Sequence, residues 1–237
     1  MIYANWHEVY EDSVYKLSSD TWSKGIILEL EKLNINSGTI LDAGCGTGIG
    51  SDSLRDIGNY SIIGIDKSME MLGKSEGKYD SLLQRDISDF EVPSVVDVIV
   101  SGFDTLNYLN YYQLSSFFSS AFKALKNEGY IIFDYSSPKL LEFDWKDLQY
   151  EIILSNSILK WKHNYDDNKK YSKTIISNYI NGEKSWEENH IQFSYTPHDI
   201  LKLFGDLNLH IINVRNLDNN YFSPESNTHV FLIQKKL

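Results

Sequence analysis

Cysteine is nearly absent from this sequence, and long apolar runs are missing. The 237 residues contain one cysteine, Cys45, which excludes an internal disulfide and a cysteine-rich zinc site. No run approaches the roughly eighteen apolar residues of a membrane-spanning helix. Residues 1–20 carry Asn5, Glu8 and Glu11 among their apolar positions, unlike a signal peptide. We therefore expect a cytoplasmic protein with no membrane segment.

Basic residues are also scarce. Lysine and arginine number 22 against 33 acidic residues, which gives a formal net charge of −11 at pH 7. Proteins that bind nucleic acid draw much of their affinity from lysine and arginine contacts with phosphates. This charge balance disfavours nucleic acid as a partner. It does not indicate an oligomeric state.

The sequence does contain a strand followed by a glycine-rich turn. Thr39 to Leu41 are apolar or β-branched and predict a short buried strand. Glycines follow in alternation at positions 44, 46 and 48, which is typical of turns where the backbone approaches a ligand closely. The next residues, Ile49 to Ile57, predict a helix whose free N–H groups face that turn. Together these features predict a nucleotide-binding cradle.

A carboxylate ends the next predicted strand, about twenty residues beyond the glycines. Residues 61–65 form a largely apolar run that leads into Asp66. In open α/β sheets, a carboxylate at this position meets the ribose hydroxyls. A dinucleotide fingerprint that starts at Gly44 would need glycine where this chain has Ile49. The spacing therefore argues against a dinucleotide.

The segment Asp42-Ala-Gly-Cys-Gly-Thr-Gly48 resembles motif I of class I S-adenosylmethionine-dependent methyltransferases. Residues 66–72, 84–90, 95–101 and 129–134 resemble, in order, the motifs that follow it. The resemblance covers nearly the whole chain. Residues 104–108 also resemble the D-[ST]-x-N-Y segment of a bacterial small-molecule subgroup with an inserted antiparallel sheet. The resemblance implies S-adenosylmethionine as the cofactor, S-adenosylhomocysteine as the product, and no metal.

The resemblance also implies which residues contact the cofactor. It places Asp42 near the methionine end, Asp66 on the ribose and Asp86 on the adenine amino group. The expected cofactor contacts are Tyr10, Asp42, Gly44, Cys45, Gly46, Gly48, Asp66, Lys67, Met69, Asp86, Ile87 and Ser101. Tyr10 and Tyr3 lie in an N-terminal segment that closes over the cofactor in such enzymes, although either ring could simply pack on the core.

The order of predicted elements indicates an α/β fold, a Rossmann-like doubly wound seven-stranded sheet with a C-terminal antiparallel hairpin. We expect one methyltransferase domain over residues 1–237. Its parts are an N-terminal helical lid at 1–37, a cofactor-binding core at 38–137, an antiparallel β insertion over the active site at 142–195, and a final helix with closing strands at 196–237. The insertion is rich in β-branched and aromatic residues, and Asn181-Gly182 is a strong hairpin signal.

Several element boundaries and histidine positions are predicted as well. The helices run from Tyr111 to Asn127, ended by a turn at Gly129, and from Pro197 to Leu207. The insertion strands are residues 148–153, 158–165, 171–180 and 185–195, and the closing strands are residues 209–214 and 229–234. His163 either reaches the pocket or lies on the strand surface. His7, His198 and His229 are expected at the surface or at caps.

Methyl transfer from a sulfonium is an in-line displacement, so alignment of the nucleophile is the main requirement. A base is needed only where the nucleophile must lose a proton. The catalytic candidates are His190, Tyr108 and Asp104, and the substrate-binding candidates are Phe103, Asn107, Trp161 and Trp186. Those at 103–108 follow strand 4, where the switch-point rule places substrate. Helix capping is the alternative for Asp104 and Asn107, and a core position is the alternative for His190.

The leading hypothesis is an enzyme that methylates nitrogen or oxygen on a small metabolite or natural-product intermediate. An RNA or protein methyltransferase on the same fold is one alternative. The charge balance opposes it, and Asn107-Tyr108 lacks the proline-containing signature of enzymes that methylate planar amide or base nitrogens. A non-catalytic cofactor-binding module is a second alternative, opposed by the intact Asp42, glycine turn and Asp66.

The glycine turn and Asp66 together generate a prediction about the cofactor. S-adenosylmethionine should bind in the presence of a chelator, as measured by calorimetry. Asp66→Ala should weaken that binding by about 1–3 kcal/mol, because a hydrogen bond to a charged group is lost. Tight binding of NAD without binding of S-adenosylmethionine would contradict the assignment.

Overall fold

The computed structural model describes residues 2–15, 19–50, 54–55, 58–217 and 221–237. The helices are α1 (Tyr10–Tyr15), α2 (Ser19–Lys32), α3 (Met69–Lys74), α4 (Tyr111–Ala124) and α5 (Pro197–Lys202). Short 3₁₀ turns cover Trp6–Glu8 and Thr105–Tyr108, and one π-helical turn covers Lys139–Asp144. Of the helix predicted from Ile49 to Ile57, residues 54–55 are helical, while residues 51–53 and 56–57 lie outside the described part.

Eleven strands of the described chain form two sheets. The strands of the larger sheet are β1 (Ser37–Ala43), β2 (Asn59–Asp66), β3 (Ser81–Gln84), β4 (Val96–Ser101), β5 (Leu125–Ser136), β10 (Leu209–Asn216) and β11 (Thr228–Lys235). Their order is β10-β11-β5-β4-β1-β2-β3. Strands β1 to β5 are parallel, and β11 runs antiparallel to both β5 and β10. The predicted fold class is confirmed.

The parallel strands are apolar on both faces because helices or loops cover each side. Leu41, Ile99 and Phe133 face the side where α4 contributes its phenylalanines. Residues one position away, such as Ile40, pack on the opposite side together with Ile26 of α2. The sheet is therefore a central layer, and its carboxyl-terminal edge is where the strands β1, β2 and β4 end together.

A second, antiparallel sheet follows β5, in the order β6-β7-β8-β9. Its strands are β6 (Gln149–Ile153), β7 (Ile158–Asp166), β8 (Tyr171–Ile180) and β9 (Glu183–Phe193). The Asn181-Gly182 pair lies between β8 and β9 with φ of 52° and 84°, as a two-residue hairpin requires. One face of this sheet packs against the N-terminal segment: the rings of Trp6 and Trp161 meet edge to face, 5.2 Å between centroids.

Two helices end earlier than the sequence pattern predicts. Helix α4 ends at Ala124 rather than Asn127, because Leu125 is extended and begins β5. The Lys235 ammonium donates to the carbonyl oxygens of Phe122 and Leu125, both at 2.8 Å, and so satisfies the helix end from a neighbouring strand. Near the start of β5, Glu128 rather than the predicted turn residue Gly129 has a left-handed φ, of 62°.

Helix α5 ends at Lys202 rather than Leu207. The N–H of Leu203 bonds back to the carbonyl oxygens of Ile200 and Leu201, which closes the helix in a tight turn. Gly205 then adopts a left-handed φ of 52°. The apolar residues beyond the helix, including Phe204, are still buried in the core, so apolar periodicity alone overestimates its length.

Two histidines expected near the surface are buried. The ring of His163 lies 4.5 Å from that of Trp145, and its Nδ1 is 2.8 Å from the Thr174 hydroxyl. Burial lowers the pKa of His163 to about 4. His229 donates from Nε2 to the Ser223 carbonyl oxygen at 2.8 Å, and burial lowers its pKa. His163 therefore does not lie on the strand surface, and the surface or cap prediction for His229 is wrong.

No helix within the described ranges is long and apolar enough to cross a bilayer.

A buried ion pair connects the first long helix to the far edge of the sheet. The Arg215 guanidinium, from β10, donates to Glu29 of α2 at 2.6 Å and to the Gly25 carbonyl oxygen at 2.9 Å. Both charged side chains are almost fully buried.

Breaking this pair should destabilise the fold. Arg215→Met should lower the free energy of unfolding by about 3–5 kcal/mol, because it leaves the Glu29 carboxylate buried without its main partner. Replacing both residues by methionine should recover part of the loss. Denaturant unfolding measures both. Lys236→Met is the matched control, since it removes an exposed pair with Glu128 and should change little. Equal effects of Arg215→Met and Lys236→Met would contradict this role.

Candidate active site

A cleft opens at the carboxyl-terminal edge of the sheet. Its floor is the turn after β1 and the ends of β2 and β4. Its roof is the N-terminal segment, which contributes Tyr3 and Tyr10. This is the edge where parallel α/β sheets bind their ligands.

The turn after β1 is held by hydrogen bonds from β2. Gly44, Gly46 and Gly48 all have positive φ, which only glycine adopts without strain. The Gly44 N–H donates to the Ile65 carbonyl oxygen at 2.8 Å, and the Gly46 N–H donates to the Asp66 carboxylate at 2.9 Å. The turn that forms the cleft floor is therefore fastened directly to the end of the adjacent strand.

Three carboxylates border this floor, in different electrostatic states. Burial raises the pKa of Asp42 to about 6. The Tyr79 hydroxyl donates to the Asp42 carboxylate at 2.7 Å and partly opposes this rise. Burial also raises the pKa of Asp66 against the lowering effect of the N–H groups of Ser68 and Gly46. Burial raises the pKa of Asp86 as well, but the N–H and hydroxyl of Ser88 outweigh it, and the net direction is downward.

This floor fits a polar nucleotide-like cofactor. Asp86 lies at the cleft with one carboxylate oxygen taken by Ser88, so its other oxygen can accept from a ligand. Thr47 also lines the cleft, and its buried hydroxyl oxygen has no hydrogen-bond partner within the described part of the chain. A buried polar group without a partner costs free energy that a bound ligand would remove.

Most of the predicted cofactor residues come together here. The structure places these in the cleft wall: Tyr10, Asp42, Gly44, Cys45, Gly46, Asp66, Lys67, Asp86 and Ile87. Burial raises the pKa of the Cys45 thiol, so this cysteine is a packed side chain rather than a nucleophile.

Three predicted cofactor residues lie outside the wall. A Cβ on Gly48 would lie 2.9 Å from Lys78, so this glycine faces protein. Met69 is 58% exposed on α3, and Met71, two residues later, lines the cleft instead. The Ser101 hydroxyl is buried and donates to the Ala43 carbonyl oxygen at 2.7 Å. Its role is to hold β4 against β1.

Part of the cleft wall is aromatic. Phe103 and Tyr108, which follow β4, lie in this part with Tyr3 and Tyr10. Phe103 and Asp104 are consecutive non-glycine residues with left-handed φ of 56° and 50°. Such conformations cost free energy and persist only where the surroundings enforce them. Here they turn the chain sharply, so that Phe103 reaches the cleft directly after the strand.

Asp104 is held by β5 rather than by the cleft wall. Its N–H donates to Asp134 at 3.2 Å, and its carboxylate accepts from the Ser136 hydroxyl at 2.8 Å. Burial raises the pKa of this carboxylate to about 6, against the lowering effect of Ser136 and Gln192. Burial raises the pKa values of Tyr3, Tyr10 and Tyr108, and the negative charge of Asp104 raises them further, which places Asp104 beside the aromatic group.

Asn107 is fully buried and does not line the cleft. Its amide donates to the carbonyl oxygens of Ser136 and Phe193, at 3.0 and 2.9 Å, and it accepts from the Ser136 N–H at 2.9 Å. All three bonds join the turn after β4 to β5 and to β9. Asn107, which was predicted to contact substrate, therefore bridges the two sheets instead.

The predicted residues of the inserted sheet stand behind the aromatic wall. Trp161 stacks on Tyr150 with 5.7 Å between ring centroids, and Trp186 packs at the edge of the same apolar cluster. His190 is buried, and its Nδ1 lies 3.2 Å from the Tyr108 hydroxyl. Tyr108 thus stands between His190 and the cleft.

One charged residue of this region was not predicted. The carboxylate of Glu188 accepts from the N–H groups of Tyr3, Asn5 and Trp6, at 2.8, 2.6 and 3.1 Å. Burial raises its pKa, but the contact with His190 and these three donors outweigh burial and lower the pKa to about 2. Glu188 lies two residues before His190, on the same strand face, and that spacing was the available signal. Thr47, Met71 and Thr105 also line the cleft without having been predicted.

Comparison with known proteins agrees with this geometry. The family model described as "Methyltransferase domain" matches residues 40–129. No curated protein matches the sequence. A solved S-adenosylmethionine-dependent methyltransferase from Clostridium acetobutylicum ATCC 824 is 22% identical and superimposes with a TM-score of 0.85, each chain being covered completely.

Two further solved structures resemble the chain at lower identity. CalS10, an amino pentose methyltransferase from Micromonospora echinaspora, is 12% identical, with a TM-score of 0.76 and coverage of 96% of this chain and 97% of that one. The sugar N-methyltransferase KedS8 from Streptoalloteichus sp. ATCC 53650 is 14% identical, with a TM-score of 0.75 and coverage of 96% and 93%. Residues 40–129 therefore match a methyltransferase domain, and the chain has the fold of S-adenosylmethionine-dependent methyltransferases.

Proposed function

We propose that this protein is an S-adenosylmethionine-dependent methyltransferase that transfers a methyl group to a nitrogen or oxygen atom of a small metabolite or natural-product intermediate. The observation that carries the proposal is the enclosure of the cleft. The N-terminal segment is fastened to the inserted sheet, so Tyr3 and Tyr10 roof the same space that the glycine turn floors. A roofed cleft admits a small molecule and excludes a folded RNA or protein surface.

Charge and chemistry support the same substrate class. The net charge of −11 disfavours polyanionic partners. Aromatic rings with carboxylates nearby suit a positively charged amine, because the ring faces attract cations. The solved relatives described as amino pentose and sugar N-methyltransferases also act on small molecules that carry nitrogen. We therefore favour an amine over a hydroxyl as the methyl acceptor.

The floor of the cleft would bind the cofactor, and the aromatic wall would bind the methyl acceptor. When bound, S-adenosylmethionine supplies an electrophilic methyl group that an aligned lone pair can take by in-line displacement. Asp42, Asp66 and Asp86 would hold that molecule, since they border the glycine turn. Phe103 and Tyr108 would orient the acceptor opposite it and exclude water. Alignment of the two molecules supplies most of the rate enhancement.

Tyr108 is positioned to take the proton that an acceptor loses. It lines the cleft, and its hydroxyl lies 3.2 Å from Nδ1 of His190. Burial and then the charge of Asp104 raise the pKa of the phenol, so it stays protonated at neutral pH. It can accept a proton only while passing its own to His190. His190 would then act through Tyr108, because it does not line the cleft itself.

Removing the Tyr108 hydroxyl tests this route. Tyr108→Phe should lower kcat by roughly 10²–10⁴ and leave cofactor affinity almost unchanged, because general-base assistance is lost while the ring remains. Steady-state kinetics and calorimetry measure the two effects. Tyr112→Phe is the matched control, since Tyr112 is 84% exposed on α4. A fall of about tenfold or less would assign transfer to alignment alone.

The substrate class is tested with a methyl donor that carries an isotopic label. The enzyme is incubated separately with amine-containing small metabolites, hydroxyl-containing ones, total RNA and protein extract. S-adenosylhomocysteine formation is measured, and labelled products are identified by mass spectrometry. Label in small amines is the expected result. Label only in RNA or protein would overturn the substrate class, and no S-adenosylhomocysteine with any of the four pools would count against transfer to these acceptors.

A further inference from the structure

We propose that Glu188 is a positioning residue that couples closure of the N-terminal segment to proton acceptance by Tyr108 and His190. The proposal rests on the proposed function. It assigns to one buried carboxylate both the fastening of the roof and the orientation of the imidazole behind the cleft wall.

The two oxygens of Glu188 divide between these contacts. Oε1 accepts from the N–H groups of Asn5 and Trp6, at 2.6 and 3.1 Å. Oε2 accepts from the N–H of Tyr3 at 2.8 Å and lies 3.4 Å from Nε2 of His190. Glu188 is 4% exposed, so the charge is compensated by these groups rather than by water.

These contacts determine which nitrogen of His190 carries the proton. A carboxylate only accepts hydrogen bonds, so the neighbouring Nε2 is favoured as the protonated nitrogen. Nδ1 is then left with a lone pair, directed at the Tyr108 hydroxyl 3.2 Å away. The 3.4 Å separation of Nε2 and Oε2 is longer than an ordinary hydrogen bond. Attraction across it grows when the imidazole becomes charged, since charge-assisted hydrogen bonds are shorter and stronger.

The roof also holds the imidazole ring in place. The rings of Tyr3 and Trp6 lie edge to face against it, with centroids 5.3 and 5.1 Å away. Release of the N-terminal segment would remove both rings and all three N–H donors from Glu188. Water would then reach the carboxylate and the imidazole, and neither would be oriented. Tyr108 and His190 can therefore accept a proton only when the cleft is closed.

The proton transfer needs no reactant other than the acceptor, Tyr108 and His190. The bond between the acceptor atom and its hydrogen breaks, and that proton bonds to the oxygen of Tyr108. The hydroxyl proton of Tyr108 moves to Nδ1 of His190, and the resulting imidazolium faces the Glu188 carboxylate. Besides these groups, Tyr3 on the N-terminal segment is the titratable residue in contact with His190, and Asp104 lies beside Tyr108. Thr174, the cross-strand neighbour of His190, does not titrate.

The first test replaces the charge of Glu188. Glu188→Gln should lower kcat by up to about 10²-fold, as expected when a reacting group is misplaced. The part of the plot of kcat against pH in which kcat rises (the pH limb) should move to lower pH. The reason is that Glu188→Gln removes the carboxylate that stabilises the imidazolium formed during turnover. Proteolysis at the N-terminal segment should become faster in the same variant. Unchanged values for the pH limb and for proteolysis would overturn the proposal.

The control is Glu187→Gln. Glu187 is the adjacent residue on the opposite, exposed face of β9, where it accepts from Ser177 at 2.9 Å and Lys184 at 3.1 Å. This variant should keep the wild-type kcat, pH limb and rate of proteolysis. A loss equal to that of Glu188→Gln would show a general effect of charge on β9 and would overturn the specific role of Glu188.

A measurement on the unaltered protein keeps the proposal testable if Glu188→Gln does not fold. Nitrogen-15 NMR of histidine-labelled enzyme, with and without S-adenosylhomocysteine, reports the tautomer of His190. The expected result is a proton on Nε2 and a free Nδ1. A proton on Nδ1 would overturn the proposal. This readout needs no turnover, so it separates failure of the Glu188 role from failure of the proposed methylation.

Discussion

The enclosure of the cleft depends on one buried carboxylate that gathers three backbone N–H groups. Glu188 binds the segment from Tyr3 to Trp6 across more than 180 residues of chain. Its pKa falls to about 2, from an ordinary value near 4.5. The contribution to stability is therefore complete above the ordinary pKa and is lost as the pH falls through about 2. Without this anchor the roof residues would lose three hydrogen bonds to the inserted sheet, and the cleft would open.

The two halves of the cleft are held in different ways. The floor is backbone, with the glycine turn fastened to β2, and it belongs to the rigid parallel sheet. The roof and wall are side chains held by long-range contacts between the N-terminal segment, the turn after β4 and the inserted sheet. This division suits an enzyme that binds one constant cofactor and one variable acceptor. The left-handed pair at Phe103 and Asp104 lies where the two halves meet.

The sequence was sufficient for the local features and insufficient for the distant ones. Gly44, Gly46, Asp66 and Asp86 follow from motifs in which spacing determines geometry, and all four line the cleft. Met69 and Met71 differ only in which helix face they occupy, so composition could not separate them. The role of Glu188 depends on contacts with residues near the other end of the chain. No local pattern encodes such contacts, and the same holds for the burial of His163.

The proposed function requires a single closed chamber that holds donor and acceptor together. A crystal structure of the enzyme with S-adenosylhomocysteine and a small amine acceptor tests this most directly. The account predicts that the cofactor lies along the glycine turn with its ribose at Asp66, and that the amine lies between its sulfur and the Tyr108 hydroxyl. The segment from Tyr3 to Trp6 should remain bound to Glu188. An amine bound outside the roofed cleft, or a segment displaced with both ligands present, would contradict the account.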